Sequence, residues 1–149
     1  MPTKARAANV WTDEEKAAMQ ESARERKAQS KKLSPDEERA AGEQEVQAKI
    51  AELVEADRVM AARIHELVTA AVPDYVPRTY YGMPAYAKNG KVICFFQPKS
   101  KFKVRYSTIG FQPDAHLDDG EMWPTEFAVI KLTPAVEARI TELVKKAAG

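Results

Sequence analysis

The large side chains of this chain are crowded into its second half, and that asymmetry limits what it can fold into. Eleven of its twelve aromatic residues fall between Tyr75 and Phe127, whereas residues 1–45 offer only Met1, Val10, Trp11, Met19 and Leu33 as large apolar side chains. A core forms by removing apolar area from water, at roughly 25 cal/mol per Å². Residues 46–149 can therefore build a core of their own. The expected organisation is a charged helical extension, 1–45, followed by a globular domain, 46–149.

Composition narrows the classes further. With 44% apolar and 30% charged residues and a net charge of +1, neither wholesale disorder nor a strongly polarised partner is indicated. The longest apolar run, 92–96, is far short of the ~20 residues that span a bilayer. The first ten residues hold basic side chains but no apolar core, so no secretory signal is expected. One cysteine, Cys94, cannot close an internal disulfide, which fits a reducing, cytoplasmic setting.

Helix grammar is clear at several points. Thr12 with Glu15 reads as a capping box opening a helix toward Lys32, but Ala17, Ala18 and Met19 give it no wide apolar stripe. Its basic end, from Arg24 to Lys32, fits either an interaction arm or a solvated helix. Ser34-Pro35-Asp36-Glu37 is a second start. From Val46 to Ala71 apolar residues recur at helical spacing, interrupted by Asp57, which either caps a fresh helix or is a buried functional acid. Thr133-Pro134 opens a terminal helix striped by Val136, Ile140, Leu143 and Val144.

Between these helices the chain reads as strands. Asn89-Gly90 is a strong hairpin signal, flanked by a strand at 91–96. Residues 101–106 alternate, with Lys101, Lys103 and Arg105 on one face and Phe102, Val104 and Tyr106 on the other, predicting a half-buried strand with a basic outer face. A further short strand is expected over 126–132. The order predicts an α+β fold, an antiparallel β-sheet packed against helices on one face.

No phosphate loop, nucleophile elbow or paired-cysteine zinc spacing occurs. Asp114, His116, Asp118, Asp119 and Glu121 put hard oxygens and an imidazole within eight residues, a set that suits iron or manganese or simply an acidic surface loop. Residues 73–106 carry seven bases and one acid, so Lys101, Lys103 and Arg105 are candidates for binding nucleic acid or another anion. Tyr81, Met83 and Tyr86, with Trp123, could line a ligand pocket around the bend at Gly82-Met83-Pro84.

At Tyr81-Gly82-Met83-Pro84-Ala85-Tyr86, with the Asn89-Gly90 hairpin and the helix after Thr133-Pro134, the sequence resembles the YdhG-like domain family over residues 57–149. The resemblance implies a small α/β sandwich, sometimes compared with frataxin, and a non-enzymatic cytoplasmic protein. One branch is described as an intracellular iron chaperone, which would make iron and an iron-accepting protein the partners. The acids available for that role are Glu52, Glu55 and Asp57 and the 114–121 loop.

Overall fold

A computed structural model of the chain describes residues 10–29 and 33–149. Three long helices come first: α1 (Asp13–Gln29), α2 (Pro35–Ala51) and α3 (Glu55–Ala71). Strands β1 (Val76–Tyr80), β2 (Met83–Lys88) and β3 (Lys91–Gln97) follow, then a one-turn helix α4 (Lys99–Phe102). Strands β4 (Ser107–Phe111) and β5 (Glu126–Val129) and helix α5 (Pro134–Ala148) complete the chain. The strands form one antiparallel sheet in the order β1-β2-β3-β4-β5, a meander in which each strand pairs with its sequence neighbour. The α+β fold read from the sequence is the one observed.

Local signals set the ends of these elements. Thr12 and Glu15 close a capping box at α1, with both bonds at 3.0 Å, and Ser34 and Glu37 do the same at α2. The Thr133 hydroxyl accepts from Val136 at the start of α5. Two hairpin turns need left-handed backbone: Asn89-Gly90, as predicted, and Tyr81-Gly82, at φ +51° and +75°. Tyr81 is a costly residue in that conformation, which is why the sequence read only as a bend.

Register puts a row of Pro77, Tyr86, Cys94 and Phe111 on one side of the sheet. That side meets α2, α3 and α5, and the core forms there from Val46, Ile50, Ile64, Val68, Tyr86, Phe96, Ile109 and Val144. Gly42 lets α2 lie directly on β1, since a methyl at this position would overlap the Pro77 carbonyl. Arg63 of α3 clasps Glu137 of α5 through two 2.9 Å bonds. The opposite row, Arg78, Ala85, Phe95, Gly110 and Glu126, lies on the face away from these helices.

Three expectations are corrected. The boundary drawn at 45/46 falls inside the continuous helix α2, whose Arg39 donates to the carbonyls of Pro73 and Tyr75 and whose Glu43 reaches His65. Residues 35–45 therefore belong to the body. The predicted strand over 101–106 is absent: the chain turns through α4, Lys103 takes φ +53°, and the strand begins at Ser107. Here tertiary bonds outweigh the alternation, because Asp57 accepts from the Ser100 amide at 2.9 Å and the Ser107 hydroxyl accepts from the Lys99 amide at 3.0 Å. Asp57 does not cap; it is buried, as the other reading has it, inside the first turn of α3 and held by Ser100.

Among the described residues no helix is long and apolar enough to cross a membrane.

Candidate functional site: a groove between α1 and the open face of the sheet

Arg78 is placed by strand alternation on the open face of β1, where α1 passes along the sheet edge. Its guanidinium donates to Gly90 O at 3.4 Å and to the side-chain oxygen of Gln29 at the end of α1. Its Nε is buried and has no hydrogen-bond partner among the described residues. An unsatisfied buried donor is costly, about 1–3 kcal/mol and more when it belongs to a charged group. Such a donor marks a position where an acceptor is wanted.

Around Arg78 opens a groove of about 490 Å³, within the range of small-molecule sites. Its α1 wall is Ser22, Glu25, Arg26 and Gln29, and its other rim is Lys91, Gln112 and Asp114. Tyr80 and Tyr81 form the aromatic end, packed edge to face at 4.7 Å, with Tyr80 also against Phe95. Gln112 donates to the Tyr80 hydroxyl at 3.4 Å. Burial, with Tyr81 beside it, holds the Tyr80 phenol above its usual range, so it stays protonated and able to donate. Arg26 bonds Ser22 at 2.9 Å, and Lys91 lies 3.7 Å from Asp114. Two arginines, two tyrosine rings and two side-chain amides thus converge on one cavity. A second, smaller cavity of about 360 Å³ lies behind the Arg78–Gln29 contact, between α1 and α2.

The residues expected from the sequence are distributed differently. Met83 and Tyr86 lie on opposite faces of β2, so the pocket drawn from Tyr81, Met83, Tyr86 and Trp123 does not assemble. Tyr81 reaches the groove, Met83 is buried, Tyr86 points into the helix-covered core, and Trp123 packs against that core. Lys101 donates to Gly82 O at 2.7 Å, Lys103 meets Glu14 at 2.6 Å, and Arg105 lies over the Tyr106 ring. They do not share the face of one strand.

In the acidic loop, buried Ala115 and Leu117 alternate with exposed His116 and Asp118. Asp114 faces Lys91. Among the described residues no three acid, histidine or cysteine side chains gather to hold a metal ion. Of the groove residues, Arg26 falls within the basic 24–32 stretch that reads as an interaction arm or a solvated helix, whereas Gln29 and Arg78 are given no role from sequence. Forty-nine positions separate Gln29 from Arg78, and the one hint was an arginine inside an otherwise apolar strand.

A second polar group lies on the other side of the sheet. His65 Nδ1 is 2.9 Å from the Tyr86 hydroxyl and its Nε2 is 2.9 Å from Glu43. Tyr86 is buried, and burial lifts its phenol well above the ordinary range, with Cys94 and Glu43 adding to the shift. This hydrogen-bonded chain ties α2, α3 and β2 together, buried at Tyr86 and His65 and open at Glu43, which with His65 lines a cavity of about 640 Å³. Compared with known proteins, the chain matches no family model, no curated protein and no solved structure.

Proposed function

We propose that this protein is a non-enzymatic binding module for a small anionic molecule carrying a planar ring, held in the groove between α1 and the open sheet face. The observation that carries the reading is the buried Nε of Arg78, without a partner among the described residues, beside an aromatic wall. An incoming carboxylate or phosphate would satisfy that donor and draw on Arg26, with a charge-assisted bond about twice as strong as a neutral one. The ring would lie against Tyr81 and Tyr80. Kinship with the YdhG-like domain, resting on the 81–86 motif, belongs to the same proposal.

Adenosine monophosphate is a suitable probe because it joins both halves, with adenosine and inorganic phosphate as the separate parts. Calorimetry should show the whole binding more tightly than either part. Arg78→Gln should weaken it at least ~10-fold, the loss of a charge-assisted bond, and Tyr81→Ala should weaken the nucleotide but not phosphate. Equal affinity for adenosine and its phosphate, or an unaffected Arg78→Gln variant, would overturn the reading. Iron carriage through the 114–121 loop is the alternative; saturable ferrous uptake, measured anaerobically and lost in Asp118→Asn with Asp119→Asn, would favour it instead.

A further inference from the structure

The side that α1 turns toward the rest of the molecule is built of acids. Glu14, Ala18, Glu21, Ser22, Glu25 and Gln29 are the residues of this helix that are buried or half-buried, and they recur at helical spacing. Trp11 and Met19, the large apolar side chains here, remain exposed. A surface helix ordinarily docks through an apolar stripe. This one docks with a single alanine, three carboxylates, a serine and a glutamine.

The opposing surface is cationic. Lys103 Nζ is 2.6 Å from Glu14, and Glu21 Oε2 lies 3.2 Å from Lys49 and 3.6 Å from Lys101. Glu25 accepts from the Gly82 amide at 3.1 Å. Glu21 Oε2 is buried yet makes no directed hydrogen bond among the described residues, so its hold on the two lysines is ionic. Beside this surface Tyr106 is 37% exposed and its ring carries Arg105 at 5.5 Å, and Lys101 lies 5.9 Å from the Phe102 ring. Lysines beside partly open aromatic rings are what single strands use, the cations for phosphates and the rings for bases.

We infer that α1 is an acidic plug seated on a surface for single-stranded nucleic acid formed by Lys49, Lys101, Lys103 and the adjoining aromatic side chains. In this closed form the carboxylates of Glu14 and Glu21 occupy the places of phosphates. Contacts of this kind are screened by salt and yield to a polyanion that offers more charges at once. The plug and the arginine groove share α1, whose Glu25 and Gln29 also line that groove, so displacing the helix would open both.

The test is fluorescence anisotropy of labelled oligo-dT and oligo-rU. The wild type is compared with Glu14→Gln, Glu21→Gln, Glu25→Gln and with a control of equal charge, Glu121→Gln, Glu126→Gln, Glu142→Gln. The plug variant should bind at least about tenfold tighter than wild type, the control less than about twofold, and affinity should fall steeply with salt. Adding Lys101→Gln and Lys103→Gln to the plug variant should abolish the gain. In the unaltered protein, amide exchange in α1 should quicken with added salt while β3 stays protected. An equal gain in the control, no gain in the plug variant, or salt-independent exchange in α1 would each overturn the inference. Binding of polyglutamate as tight as that of the oligonucleotides would overturn the assignment to nucleic acid.

Discussion

The hydroxyl of Tyr86 stands 2.9 Å from Nδ1 of His65, and both side chains are buried. In the neutral imidazole whose Nε2 donates to the Glu43 carboxylate, Nδ1 accepts from the phenol. Tyr86→Phe keeps the ring and strands that acceptor. The expected loss is about 1–3 kcal/mol, read as a lower urea midpoint with an unchanged slope.

Glu43 extends this chain to a pH dependence. Burial acts to raise its carboxyl, but hydrogen bonds from His65 and Gln47 outweigh it and hold the group below its usual value of 4.5. A carboxyl depressed on folding contributes stability that is present above its unfolded value and lost as pH falls through the folded one. Stability should therefore drop on acidification below about 4.5. Glu43→Gln should flatten that limb by lowering stability near neutrality while changing little at the acid end, as followed by urea midpoints across the acid range.

Gly42 stands where α2 crosses β1, and any side chain there meets the Pro77 carbonyl. Gly42→Ala should raise the helix propensity of α2 and still destabilise the protein, by about 1–3 kcal/mol or more, because backbone must shift. Thermal unfolding would show the sign. An increase in melting temperature would mean that α2 does not lie directly on the strand.

Cys94 is buried in β3, and burial pushes its thiol up to about 12. A thiol with so little thiolate is inert. It should resist Ellman's reagent at mildly alkaline pH in the folded protein and react fully in denaturant. Rapid labelling under native conditions would show that the sheet opens locally.

Signals confined to a few residues were legible in the sequence. The capping boxes at Thr12 and Ser34, the Asn89-Gly90 turn and the Thr133 cap each depend on neighbours three or fewer positions apart, and each formed. The 101–106 segment failed because alternation over six residues is weak against three anchoring bonds, two of them from Asp57, 43 positions away. Arg78 failed for the same kind of reason. Its importance arises from α1 passing beside β1, and spacing along the chain does not encode that approach. The acids of α1 looked like ordinary solvated charge because a helical stripe of glutamates is legible only once lysines are found opposite it.

The close seat of α2 on β1 bears on how this architecture could be divided. Arg39 grips the carbonyls of Pro73 and Tyr75 from the first half of a helix whose second half fills the core. A fragment cut at residue 46 would uncover Pro77, His65 and the outer edge of the meander together. A piece grafted onto another protein would have to keep α2 whole, from its Ser34 cap onward.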